Sequence, residues 1–144
     1  MKFTEVEDFH KRFGHPVEKV PHVPAPEVVQ FRSELIGEEF GEYLTAVYGD
    51  APLLMAAFKL LRSEMRLTHP RCENLAEVAD AVADLLYVTE GANLVFGFPG
   101  PEVMAEVQRS NMQKIYNGSN SKPTKPADWT PPDVAGVLRK AGLV

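Results

Sequence analysis

Two stretches of this sequence repeat their apolar residues at the α-helical period, yet carry carboxylates on faces that such a pattern would bury. Over residues 27–48, a helical projection aligns Val28, Phe31, Leu35 and Ala46 in one stripe, and Glu38, Glu39 and Glu42 fall in or beside it. A second apolar stripe, Val29, Ile36, Phe40 and Val47, lies about 100° round. Further on, Glu73, Glu77, Asp80 and Asp84 follow at offsets of four, three and four, which puts them on one side, with Val78, Val82, Leu85 and Leu86 on the other. Residues three or four apart on a helix are neighbours, and like charges there repel by about 0.2–0.5 kcal/mol per pair. Two helices with such ridges cannot pack ridge to ridge without a cation. The plainer alternative is a pair of solvated acidic faces. It is weakened because neither ridge alternates with Lys or Arg, as solvated helical faces usually do.

Proline and glycine mark where the helices start and stop. Pro16, Pro21, Pro24 and Pro26 fall in the first 26 residues, which read as a short helix over 5–13 followed by an extended arm. Pro26 suits the first turn of a helix, where its missing N–H costs nothing, and Gly49 stops that helix. Pro52 opens a second helical stretch to Leu67, ended by Pro70. Asn74 caps a third, running to Phe96 before Gly97 and Pro99. Pro101 starts a fourth, expected to reach Tyr116, with Asn117-Gly118 as its stop. Residues 119–132 form a Pro/Ser/Lys/Asn connector, and Asp133 caps a last short helix to Lys140. No segment shows strand alternation, and no internal repeat is visible. The expectation is an all-α bundle of four main helices with ragged ends, in one domain spanning 1–144.

The 144 residues include 15 Lys+Arg against 20 Asp+Glu, a net charge of −5. That balance argues against sequence-independent nucleic-acid binding, which needs a basic footprint. No apolar run reaches the roughly 18 residues of a membrane span, and the N-terminus lacks an apolar secretory core. Cys72, the one cysteine, forms neither an intramolecular disulfide nor a CxxC knuckle. A cytoplasmic, reduced setting is expected.

A cation chosen by Glu and Asp oxygens alone is hard: Mg²⁺ or Mn²⁺, with Ca²⁺ an option. Zinc is disfavoured, because His10, His15, His22 and His69 lie outside the acidic helices and at no ligand spacing. His69-x-x-Cys72 has no second pair and reads as loop. A di-iron bundle would want Glu-x-x-His, where this chain has Glu77-x-x-Asp80. Carboxylate-held Mg²⁺ keeps positions for water and substrate phosphates, which points to phosphoryl chemistry.

The residues around these ridges resemble a known family. Glu38-Glu39-Phe40-Gly41-Glu42 followed by Glu77-Val78-Ala79-Asp80 is similar to the EExxE…ExxD signature of the MazG-like, all-α nucleoside triphosphate pyrophosphohydrolases. The likeness extends to Leu35-Ile36-Gly37 before the first motif and to Asp84-Leu85-Leu86-Tyr87-Val88 after the second. It includes Gly97-Phe98 and Arg109-Ser110-Asn111-Met112-Gln113-Lys114. Phe9-His10 and Gly14-His15-Pro16-Val17 in the arm, and Lys122-Pro123, Trp129 and Pro131-Pro132-Asp133 in the tail, resemble the phosphoribosyl-ATP-pyrophosphohydrolase-like branch. The spacer between Glu42 and Glu77 is longer than that family's usual one, and it contains the apolar helix of residues 52–67.

The resemblance implies hydrolysis of a nucleoside triphosphate between its α and β phosphates, giving monophosphate and pyrophosphate with Mg²⁺. It implies Glu39, Glu42, Glu77 and Asp80 as metal ligands. Glu38 and Glu39 would form the catalytic pair, with Glu38 positioning or deprotonating the attacking water. Asp84 would lie near the sugar or base, or else be a buried structural carboxylate. Asn111 and Lys114 would contact phosphates, and Lys122 and Lys125 of the tail would close over them. Glu73 reads as an exposed neighbour, Tyr87 as core, and Trp129 as the tail's anchor. The family further implies a homodimer or dimer of dimers that completes the bundle, with residues 53–61 at the interface or packed within the chain. dUTP or another deoxypyrimidine triphosphate is the first expected substrate, in nucleotide-pool sanitising. Phosphoribosyl-ATP hydrolysis is the enzyme alternative. A non-enzymatic helical interaction module is the other.

Overall fold

Proline stands in the first turn of three helices, so the boundaries follow the punctuation closely. In the computed structural model, which describes residues 4–118 and 121–143, the helices are α1 (Thr4–Arg12), α2 (Pro26–Tyr48), α3 (Pro52–Leu67), α4 (Leu75–Phe96), α5 (Gly100–Asn111) and α6 (Val134–Lys140). Among the described residues there is no strand, only an isolated antiparallel bridge between Ile115 and Thr124. No single helix among them is long and apolar enough to cross a membrane. Ser119 and Asn120, at the start of the expected connector, lie outside the described residues.

The chain forms two compact units, Pro21–Leu75 and Met1–Val20 with Ala76–Val144. The first is a helical hairpin. The face α2 turns toward α3 is made of glycine: Gly37 and Gly41, one turn apart, are both buried. Met65 lies on Gly37, where an added Cβ would stand 2.7 Å from its Cε, and the Phe58 ring lies on Gly41 closer still. Small residues at this spacing let two helix backbones approach, and the larger side chains of α3 fill the space. Phe58 also meets Phe40 edge-on, centroids 6.1 Å apart. Gln30 Nε2 donates to the carbonyls of Met65 (3.2 Å) and Arg66 (2.8 Å), satisfying acceptors that the end of α3 leaves open. Arg66 pairs with Glu34 at 3.5 Å. Residues 53–61 therefore divide between two faces: Leu54, Met55 and Phe58 are half-buried, while Leu53 and Leu60 stay 87% and 73% exposed. The second apolar stripe of α2, with Ile36, Phe40 and Val47, is also exposed.

In the other unit α1 ends on Gly14, whose φ of +66° favours glycine and over which Tyr116 packs. Phe13, 1% exposed, is the large apolar side chain that is buried among the described residues, and the Phe9 ring sits 4.5 Å from it. His15, 6% exposed, stacks on Phe9 at 5.9 Å. Gln108 Nε2 of α5 donates to the Glu5 carbonyl at 2.8 Å, tying α1 down. Gly97 (φ +68°) turns the chain between α4 and α5, whose axes differ by 114°.

Three expectations need correction: Tyr87, read as core, is 82% exposed, and two concern helix limits. Glu73 precedes α4, so the acidic ridge on that helix is Glu77, Asp80 and Asp84. The fourth main helix, α5, stops at Asn111 and not at Tyr116. After Ser110 the amides of Gln113 and Lys114 bond three residues back, to Ser110 and Asn111, and Ile115 leaves to pair with Thr124. β-Branched and aromatic Ile115 and Tyr116 favour the extended chain. The returning tail supplies partners that a longer helix would forgo.

The glycine face gives a stability prediction. Gly41→Ala forces a methyl group into the Phe58 ring and is expected to destabilise by about 1–3 kcal/mol. Gly91→Ala on α4, where no atom stands within 4 Å of the new Cβ, is expected to stabilise by up to about 1 kcal/mol through helix propensity. Urea unfolding of the two variants checks both signs.

Candidate active site

The close approach at Gly37 and Gly41 shapes a groove along the hairpin. Its volume is about 530 Å³, and it is lined by Glu38, Gly41, Glu42, Thr45 and Ala46 of α2 and by Met55, Phe58, Lys59 and Arg62 of α3. Glu38 and Glu42, four residues apart, share this rim. Glu38 is half-buried and Glu42 exposed. Glu39, exposed, falls outside the lining. Thr45 donates its hydroxyl back to the Gly41 carbonyl at 2.9 Å, and its Oγ1 lies 3.4 Å from Met55 Sδ, fixing the groove's inner end.

The second acidic set belongs to the other unit. Glu77, Asp80 and Asp84 are exposed along one side of α4, at spacings that place them one above another. Among the described residues no three His, Cys, Asp or Glu side chains stand close enough together to hold a metal ion by themselves. Each helix thus presents its own carboxylates. None of Glu42, Asp80 and Asp84 forms an ion pair with a basic side chain among the described residues. The four histidines lie elsewhere: His10 and His15 pack at the end of α1 with rings 5.3 Å apart, His22 precedes α2, and His69 lies beyond α3.

Asn111 is the last residue of α5, and Lys114 lies in the turn after it, joined through the Lys114 N–H to the Asn111 carbonyl at 3.1 Å. The tail is clamped directly beside them. Ser110, 2% exposed, donates Oγ–H to the Thr130 carbonyl at 2.9 Å, and Trp129 Nε1 donates to the Ser110 carbonyl at 3.1 Å. Gln113 Oε1 accepts from both N–H and O–H of Thr130 at 2.9 Å. Arg109 reaches Thr130 Oγ1 (2.8 Å) and the Pro131 carbonyl (3.0 Å) while pairing with Glu106 at 2.8 Å. Glu106 in turn accepts the Asp133 N–H, and Asp133 caps α6 by accepting from Gly136 N–H at 2.9 Å. Trp129 anchors the tail as its sequence context suggests. Lys125, expected to reach over the substrate, lies instead on the Trp129 ring, 4.1 Å from its centroid.

Sequence reasoning missed Lys59 and Arg62, which share the α3 face of Met55 and Phe58. The signal was two cations, three residues apart, at the edge of an apolar stripe. It also missed the Glu106–Arg109 pair, whose spacing is that of a helical ion pair.

In this all-α fold, α2 carries Glu38, Glu39 and Glu42 and α4 carries Glu77, Asp80 and Asp84. The family model for phosphoribosyl-ATP pyrophosphohydrolase matches residues 6–111. The chain belongs to that family. It is 31% identical over 99 residues to an uncharacterised protein of Acanthamoeba polyphaga mimivirus, a match covering 66% of this chain and 30% of that protein. The chain thus spans about a third of that relative's length. Among solved structures it is similar in fold to a candidate NTP pyrophosphohydrolase from Exiguobacterium sp. 255-15, with a TM-score of 0.73 at 23% identity, covering 96% of this chain and 94% of the other.

The clamp carries a pH prediction. Hydrogen bonds from Arg109 and from the Asp133 N–H hold the Glu106 carboxyl down to about 2, from an ordinary 4.5. A depressed folded-state pKa contributes stability that is fully present above the unfolded value and is lost as pH falls from 4.5 toward 2. Trp129 fluorescence is expected to report tail release across that window, and Glu106→Gln to weaken the tail at neutral pH and flatten the acid transition.

Proposed function

We propose that this protein hydrolyses nucleoside triphosphates to the monophosphate and pyrophosphate with Mg²⁺, Mn²⁺ serving as substitute. Family membership carries the reading. Glu42 on α2 and Asp80 and Asp84 on α4, which form no ion pair with a basic side chain among the described residues, support it. The donor set is entirely oxygen, which fits a hard divalent ion and not zinc. Glu39, Glu42, Glu77 and Asp80 are the proposed ligands. When bound, the metal reverses the negative field of these acids, orients the phosphates and acidifies a water.

The chain's own residues have separable tasks. Glu38, at the groove rim, positions the attacking water and takes its proton as the water oxygen bonds to the α-phosphorus and the bond to the bridging oxygen breaks. Glu39 stands beside it as the second catalytic carboxylate. Asn111 donates its amide to phosphate oxygens, and Lys114 supplies a point charge. Asp84, one turn beyond Asp80, addresses the sugar or base. dUTP or another deoxypyrimidine triphosphate is the proposed substrate, in a pool-sanitising role. The matched family is named for phosphoribosyl-ATP, which makes that nucleotide the second reading.

The active species is a homodimer or dimer of dimers. Support comes from the apolar area each unit leaves exposed: Ile36, Phe40 and Leu53 in one, Val78, Val82, Leu85 and Val88 in the other. Exposed clusters of this kind mark association surfaces.

Pyrophosphate release from a panel of dNTPs, NTPs and phosphoribosyl-ATP tests the reading. Wild type is expected to yield monophosphate plus pyrophosphate. Glu39→Gln, which keeps the shape and removes one charge, is expected to lose at least about a hundredfold. Mg²⁺ at a hundred times its Kd is expected to stabilise wild type by about 2.7 kcal/mol. A chain with neither turnover nor a metal response is not an enzyme of this class.

A further inference from the structure

The two walls of the α2–α3 groove differ in charge. Glu38 and Glu42 stand on the α2 wall, Lys59 and Arg62 on the α3 wall, over a floor of Gly41, Ala46, Met55 and Phe58. The two cations of the α3 wall are the ones without a counter-ion: among the described residues neither Lys59 nor Arg62 forms an ion pair. Arg62 Nε is shut off from solvent with no hydrogen-bond partner. Arg66, one turn on, shows the contrast: it is paired with Glu34 at 3.5 Å and faces a different recess, beside Pro26 and Gln30. A buried guanidinium nitrogen without an acceptor is costly to keep, and its natural complement is an anionic ligand.

A ligand for this groove must offer anionic oxygens to one wall while tolerating, or carrying a metal for, the carboxylates on the other. A metal-chelated polyphosphate does both. The guanidinium fork takes two oxygens of one phosphoryl group, and the ammonium supplies a compact charge to the next. The apolar floor strengthens both contacts by lowering the local dielectric. The geometry points to Lys59 and Arg62 as the subsite for the β and γ phosphoryl groups, which leave together as pyrophosphate. This rests on the proposed reaction and adds to it the residues that hold the leaving group. When the α–β bond breaks, its electron pair goes to the bridging oxygen of pyrophosphate, and these two cations face the charge that develops there. Because the long α3 lies in the spacer between the two acidic motifs, it supplies a function those motifs lack.

The experiment is calorimetric titration of inorganic pyrophosphate, with Mg²⁺, into the full chain as wild type, Arg62→Gln, Lys59→Gln and Arg66→Gln. The first two substitutions are expected to weaken binding tenfold or more and the third to leave it unchanged. In turnover, Arg62→Gln is expected to raise the inhibition constant of pyrophosphate while sparing that of the monophosphate. A residue that only filled the groove would lower the melting temperature without that split. Lys59, more exposed, stands in if Arg62→Gln fails to fold. Wild-type failure to bind pyrophosphate, or unaltered binding in both groove variants, overturns the subsite. If wild type hydrolyses a nucleotide and the variants bind pyrophosphate normally, the subsite alone is wrong. If no nucleotide turns over yet pyrophosphate binds through Lys59 and Arg62, the reaction is wrong and the polyphosphate site stands.

Discussion

The bare backbone of α2 at Gly37 and Gly41 is the contact from which the hairpin unit follows. A side chain at either position would push α3 outward. Without one, Met65 and Phe58 settle against the helix itself. The close approach aligns Gln30 with the end of α3 and Thr45 with Met55, and it opens the groove whose rim holds Glu38 and Glu42. The glycines alternate with the acids for a physical reason. One helical turn separates Gly37 from Gly41 and Glu38 from Glu42, so each step that brings α3 close also sets a carboxylate at the edge of the contact.

Each unit also carries acids without an ion pair among the described residues. Carboxylates on a helix are ordinarily balanced by Lys or Arg one turn away, as Glu7 and Lys11 are on α1 and Glu106 and Arg109 on α5. Glu42, Asp80 and Asp84 receive no such neighbour among the described residues. Acids are thus paired within α1 and α5, where they hold a helix or the tail, while these three stand apart from any such pair.

Most helix boundaries were legible because proline and glycine act through local sterics. Pro26, Pro52, Gly49 and Gly97 act wherever they occur, and Asp133 needs only its own following turn to cap α6. The acidic ridges were legible for the same reason, since i, i+3 and i+4 spacing depends on one helix alone. What escaped were features decided between elements. The stripe analysis of α2 counted apolar side chains, whereas the face that packs is made of residues without any. The overrun of α5 to Tyr116 came from reading one segment in isolation. Ser110 and Gln113 end it by serving Thr130 and Trp129, which lie about twenty residues downstream. Within α3 alone Lys59 and Arg62 are two cations at the edge of an apolar stripe, and they become groove residues only through the packing of α3 on α2.

The cap on α6 is relayed from another helix. Glu106 holds the Asp133 amide, and Asp133 holds the amide of Gly136. A helix of seven residues is far below the roughly 12–15 that persist alone in water. Its formation is therefore conditional on α5 being complete and on Thr130 having docked. A helix this short owes its stability to those contacts rather than to its own propensity. It joins the opening and closing unit of its host helix, so the chain's last turn of structure records the integrity of a helix laid down more than twenty residues earlier.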